Sequence, residues 1–285
     1  MLRTSRDFCL GFLRERKIKM RRFGFKIFSN NLQNNLPVLT EIEQFVRQHR
    51  QQTFIEMMVL PDTTEEDIRR YAERFAGITV TIHAPHHIYG FDPARRECEK
   101  SNREMLALAQ RAADVLHSDV IVVHSGCGKA EDKLAETMRQ FKIFAADKRV
   151  VVENLPYDDD NNEPILHGNT AAEIAKIRDF SGCGFCFDFS HAICAANSLG
   201  LDVEKQLAEF YNLNPTVYHM CDGTMNGKYD SHLHFGEGDY PLAHFLCDYT
   251  AADARITMET GSGKPNSSLP WLQDYDFVQK ILQEK

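Results

Sequence analysis

The sequence predicts a single (β/α)8 barrel, and three observations predict it. Short apolar runs alternate with amphipathic stretches of helical period eight times along 285 residues, about the length that eight strand–helix units need. The runs are almost continuously apolar, as in parallel strands covered on both faces. No Gly-x-Gly-x-x-Gly turn follows the first run, which removes the main support for an open dinucleotide-binding sheet.

The predicted strands cover Phe23–Phe28, Phe54–Val59, Ile78–Ile82, Val120–Val123, Val150–Val152, Cys183–Phe187, Thr216–Met220 and Ile256–Met258. Helical period is clear in Asp67–Phe75, Glu104–Leu116, Lys133–Phe144, Ala171–Arg178, Val203–Tyr211 and Leu272–Leu282. Two of these helices announce their starts. Thr63-Thr64-Glu65-Glu66 and Asn169-Thr170-Ala171-Ala172-Glu173 each offer a capping hydroxyl, with acids in the first turn where the helix dipole favours them.

Charge divides the chain. The net −8 splits into +6 over residues 1–22 and −14 over the rest. The first 22 residues are therefore expected to be a basic extension ahead of a barrel spanning 23–285. The acidic barrel gives no general electrostatic reason to bind nucleic acid. No apolar run approaches the ~20 residues that cross a bilayer, so no membrane partner is expected. Eight scattered cysteines fit free thiols in a reducing cytoplasm rather than a disulfide framework. Cys183-Gly-Phe-Cys186 has CxxC spacing, but in a strand residues three apart point to opposite faces, which argues against a shared metal or dithiol site.

The chemistry lies at the strand ends. Successive runs, from the third to the eighth, are followed by His83, His124, Glu153, Asp188 with His191, His219, and Glu259; Asp230 and His232 sit in the loop after the seventh. In a closed barrel these ends converge on one mouth, where active residues of this fold are placed. So many carboxylates and imidazoles in one cavity repel or stay unsatisfied unless cations neutralise them, and the nitrogen/oxygen set suits Zn, or else Mn. His86, His87 and His234 neighbour the cluster, Asp222 is placed to order its loop, and Lys129 and Lys264 could meet a phosphate. Asp158-Asp159-Asp160 reads as a solvated loop.

These motifs resemble the endonuclease IV-like family, also called AP endonuclease family 2, within the xylose isomerase-like barrels. The resemblance runs from about Phe23 to the C-terminus. It is carried by His-Ala-Pro at His83, Val-His-Ser-Gly at His124, Val-Glu-Asn at Glu153, and Phe-Asp-Phe-Ser-His-Ala around Asp188 and His191. His219-Met-Cys-Asp, Asp230-Ser-His232 leading to Gly236-Glu-Gly238, and Met-Glu-Thr at Glu259 complete it. It implies nine ligands for two or three divalent ions: His83, His124, Glu153, Asp188, His191, His219, Asp230, His232 and Glu259. Glu153, Glu259 and His191 become the catalytic candidates. The activity implied is metal-dependent phosphoester hydrolysis, on abasic DNA or on a small phosphorylated sugar or nucleotide. The superfamily's sugar and sugar-phosphate isomerases and epimerases use a four-ligand subset, here Glu153, Asp188, His219 and Glu259, and form the alternative.

Three departures bear on DNA. The family's His-Val-Ser after the first strand is matched by Phe28-Ser29-Asn30-Asn31. The Arg-containing DNA-contacting loop after the second strand is matched by Glu56-Met57-Met58-Val59-Leu60-Pro61, and His86 replaces the aromatic after His-Ala-Pro.

Overall fold

The computed structural model describes residues 20–128, 131–157, 166–261 and 267–284. Most of the basic segment, together with Lys129, Lys264 and Asp158–Asp160, lies outside the described residues. Eight parallel strands close into a barrel in chain order: β1 (Arg22–Phe28), β2 (Thr53–Met58), β3 (Val80–His83), β4 (Ile121–His124), β5 (Val150–Glu153), β6 (Gly184–Asp188), β7 (Val217–Met220) and β8 (Arg255–Met258). β1 closes the ring against β8, with Arg22 opposite Arg255 and Phe25 opposite Met258.

The helices are α1 (Asn31–Asn34), α2 (Leu36–Gln48), α3 (Glu65–Arg74), α4 (Glu99–Val115), α5 (Glu131–Phe144), α6 (Ala171–Ser181), α7 (Phe189–Leu199), α8 (Val203–Tyr211), α9 (Leu242–Asp248) and α10 (Leu269–Gln283). None is long and apolar enough to cross a membrane. Thr64 caps α3 in a reciprocal box with Asp67, and Thr170 caps α6 by accepting from Glu173 N.

Strand alternation sorts the side chains into two cores. Phe23, Phe25, Ile27, Ile55, Met57, Val123 and Val152 point outwards and join the helices in the main core. Val120, Val122, Val151, Cys186 and Val217 fill the barrel interior as a separate small cluster. Cys183 belongs to the outer core and Cys186 to the inner one, so the CxxC pair is split across the sheet. The inner face also holds Gly24, where a Cβ would come within 2.4 Å of the Phe54 ring. The middle of the barrel is thus apolar and filled, with Arg22 and Arg255 at its N-terminal end and the acidic and histidine side chains at the other.

Candidate metal centre

All nine donors expected from the sequence come together at the C-terminal end of the barrel. Glu153 is the hub. Its Oε2 lies 3.2 Å from His83 Nε2 and 3.3 Å from His124 Nε2, and its Oε1 lies 3.0 Å from His219 Nδ1 and 3.5 Å from His191 Nδ1. Glu259 Oε1 approaches His219 Nδ1 at 2.9 Å. A second focus is Asp230, whose Oδ2 lies 3.2 Å from His191 Nε2 and 3.0 Å from His232 Nε2. Asp188 Oδ1 lies 3.7 Å from His191 Nδ1, the ring that touches both foci. Most of these groups are fully buried; His124 and His232 reach solvent.

Local structure fixes each donor. Asp188 ends β6 and is at once the N-cap of α7, accepting from His191 N at 2.7 Å, so one turn delivers both residues. Asn154 holds that turn from both sides, donating to Asp188 O and accepting from Asp188 N, each at 2.8 Å. His232 sits at φ +46°, a left-handed backbone that non-glycine residues adopt at a cost. It is held there by Gly261 N donating to its carbonyl at 2.6 Å and by its own Nδ1 donating to Glu259 O at 2.8 Å.

The loop carrying Asp230 and His232 hangs on Asp222. That buried carboxylate accepts four backbone amides, from Gly223 (2.8 Å), Gly236 (2.8 Å), Gly238 (3.1 Å) and Tyr240 (3.2 Å). Gly238 passes so close that an added Cβ would lie 2.2 Å from Gly223 O. Replacing Asp222 by Ala orphans these amides at about 1–3 kcal/mol per buried group. The expected result is a clear fall in melting temperature, with weakened metal binding around Asp230 but not around His83 and His124; calorimetry and metal titration check it.

The imidazoles carry the clearest chemical signal. His83 gives Nδ1–H to Ala84 O (2.6 Å), His191 to Asn154 O (2.9 Å), and His232 to Glu259 O; His219 gives Nε2–H to Glu56 Oε2 (3.1 Å). In each ring one nitrogen is committed to an oxygen, and the other faces a carboxylate of the cluster. Partnering of the distal nitrogen in this way is how metal-binding histidines are oriented. A bare ring nitrogen opposite a carboxylate is repulsive, so each gap must hold a proton or a cation. Asp230 Oδ2, though near two ring nitrogens, has no well-directed hydrogen bond, and buried His124 Nδ1 has none either. The donor set therefore fits divalent ions better than protons alone. His83, His124 and Glu153 have donor atoms within 4.8 Å of one another, as do Cys221, Asp230 and His232, and Glu56, His83, His219 and Glu259.

Burial and neighbouring charge tune these groups in opposite directions. Burial, only partly offset by Glu153, pushes His124 down to about 4, which leaves it neutral. Burial acts on His191 the same way, but Asp188 and Asp230 outweigh it and raise that ring to about 10. Asp188 itself is pushed up to about 7 by burial and then by Asp230, Glu153 and Glu259, against the pull of His191. Burial, opposed by His219 and reinforced by Glu153, also keeps the Cys186 thiol protonated, so it is poorly suited to ligate.

Two participants escape a sequence reading. Glu56, in β2, is fully buried and accepts from His219 Nε2, from Thr257 Oγ1 (2.8 Å) and from Thr81 Oγ1 (3.4 Å). Despite burial, His219 and Lys26 hold its carboxyl down to about 2. Lys26, opposite it in β1, forms ion pairs with Glu56 and Glu259. The available signal was a Lys and a Glu, each interrupting an apolar run that should be covered on both faces. Around the rim, His86 stacks on His124 with centroids 5.0 Å apart, and His234 is turned away to Asp274 at 2.7 Å.

Comparison with known proteins agrees with this architecture. The model of the xylose isomerase-like TIM barrel family matches residues 40–281. "Probable endonuclease 4" of Mycobacterium ulcerans is 22% identical over 203 residues, covering 70% of this chain and 79% of the relative. Among solved structures, a D-tagatose 3-epimerase-like protein superposes with a TM-score of 0.68 at 19% identity, over 91% of this chain and 97% of the other. Endonuclease IV from Thermus thermophilus does so with a TM-score of 0.62 at 20% identity, over 93% and 100%. At such identities the structural likeness speaks for the fold, and relatives named for two chemistries share it. The family match spans most of the chain: this protein belongs to the xylose isomerase-like TIM barrel family.

Proposed function

We propose that this protein is a metal-dependent phosphoester hydrolase of endonuclease IV type, using two or more divalent ions, with zinc first in line and manganese the alternative. The observation that carries the reading is the second donor set. An epimerase-type centre needs Glu153, Asp188, His219 and Glu259, whereas Asp230, His191 and His232 form a further focus with two ring nitrogens aimed at one carboxylate oxygen. Ions held at both foci would supply a nucleophile from water at neutral pH and stabilise charge on the phosphoryl oxygens. The chain's own residues do the rest. Glu153 spans the two foci and fixes their spacing, Glu259 closes the centre from β8, and His191 joins Asp188 to Asp230.

The surroundings favour a small phosphorylated sugar or nucleotide over duplex DNA. At the end of β2 and just beyond it, Met58, Val59 and Leu60 are buried, so the segment packs inwards and presents no basic side chain. The net charge of −8 points the same way.

A second reading is a sugar or sugar-phosphate epimerase. It is favoured by Glu153 and Glu259 flanking the same His219 Nδ1 at 3.0 and 2.9 Å, a carboxylate pair suited to proton exchange. Metal content of the wild type and of a His124→Ala/Asp230→Ala variant separates the two. Two or three ions, falling in the variant, support the hydrolase and direct assays to small phosphoesters beside abasic DNA. A single ion indifferent to the substitutions rejects it in favour of the epimerase.

A further inference from the structure

Lys26 has no part in the chemistry proposed above, yet it lies at its heart. It stands in the middle of β1, in register with Glu56, on the inner face of a strand whose Phe23, Phe25 and Ile27 face the outer core. Its side chain is only 14% exposed. Nζ contacts Glu259 Oε1 and lies 3.5 Å from Glu56 Oε1, an oxygen with no hydrogen bond of its own. Burying an ammonium is expensive unless carboxylates pair with it, and here two do. The same neighbourhood contains a donor group able to hold an ion: Glu56, His83, His219 and Glu259 offer atoms within 4.8 Å of one another. A divalent ion drawn to Glu56 and Glu259 would meet the ammonium already bound to both.

We propose that Lys26 is the resident cation of this third donor group: its ammonium takes the place of a divalent ion between Glu56 and Glu259 and limits the centre to two exchangeable ions, one at Glu153 and one at Asp230. The inference rests on the multinuclear reading and refines it. A lysine differs from a metal ion in two ways that matter. It cannot be lost to a chelator, and it occupies Glu259 Oε1 with a single charge, leaving the other carboxylate oxygen for an exchangeable ion or the substrate. Glu56, tied to Lys26 on one oxygen and to His219 on the other, makes the ammonium and the imidazole parts of one fixed frame.

The test is zinc content per chain in the full-length protein, loaded with excess zinc and freed of loose metal by gel filtration. Lys26→Met keeps most of the stem and removes the charge; Lys26→Arg keeps the charge. Lys26→Gln is a second neutral variant that leaves all four donors in place and can still donate a hydrogen bond to the buried carboxylates. It decides the matter if Lys26→Met does not fold. The expected result is two ions in wild type and Lys26→Arg, and three in the Lys26→Met and Lys26→Gln variants. An unchanged or lower count in the neutral variants, or three ions already in the wild type, overturns the proposal. A wild type holding one ion or none would instead reject the multinuclear reading, and would do so before any variant is compared.

Discussion

Replacing Glu153 by Ala is expected to abolish metal binding at its own focus, to weaken it at the Asp230 focus, and to remove the proposed phosphoester hydrolysis. Four of the five histidines at the centre, His83, His124, His191 and His219, approach its two oxygens, two on each. No other side chain of the cluster is shared so widely among the described residues. Partners that only orient a ligand typically contribute ~10–100-fold in metal affinity, and a shared donor should exceed that. Loss of one strong transition-state interaction costs roughly 10²–10³-fold in rate, so phosphoester hydrolysis should fall by at least ~10³-fold. Elemental analysis after dialysis against a mild chelator, with turnover on a small phosphoester, measures both. Retention of a full complement of ions would show that the foci are independent and that Glu153 does not join them.

The metal-free protein should lose stability as pH rises from about 6.5 to 10, while its zinc affinity grows over the same range. His191 is the main cause. Its folded-state value, about 10, lies above the ordinary 6.5, so the folded chain binds that proton more tightly than the unfolded chain does. The stabilisation is complete below pH 6.5 and disappears as pH climbs through 10. The Asp188 and Asp230 carboxylates that hold the proton also raise the barrier to metal, because zinc must displace the proton from Nε2. Affinity at the Asp230 focus should then gain up to about tenfold per pH unit. His219, raised by the carboxylates around it, adds to the loss of stability in the same direction. His124, pushed down to about 4, has no proton to yield above pH 5, so its own contribution to metal affinity should be flat with pH. Thermal melts of stripped protein across this window, with zinc competition titrations, test the pair of trends. His191→Gln should flatten both.

What could be read in the sequence followed from where the physics is local. Each strand is a short apolar run, and a His, Asp or Glu just beyond it is visible without knowing what it faces. Closure of the barrel then brings such residues to one mouth, while the choice of nine among them came from the resemblance to the endonuclease IV-like family. Lys26 and Glu56 were hidden for the opposite reason. They lie inside runs that read as strand interiors, and their meeting depends on the register between β1 and β2, which no residue pattern in either strand specifies. The start of α7 was equally obscure. Phe-Asp-Phe-Ser-His looks like a strand running into a loop, yet Asp188 ends the strand and caps the helix in the same residue. Helix α2 carries no side-chain cap and begins with Leu36-Pro37, so its onset lacked the signal that marked α3 and α6.

The suspension of the β7–α9 loop from Asp222 has an evolutionary reading. Seven of the nine donors are built into strand ends, the α7 turn or the residue just after β8, and take their positions from the barrel itself. Asp230 and His232 are the exception: they ride on a segment fastened at its root by one carboxylate and four amides. Such a segment can be exchanged, lengthened or pared back as a cassette, provided the Asp222 anchor and its close-packed glycine at 238 are kept. A lineage could thereby pass between a centre with one focus and a centre with two by rewriting a single loop, while the scaffold that positions the remaining ligands stays as it was.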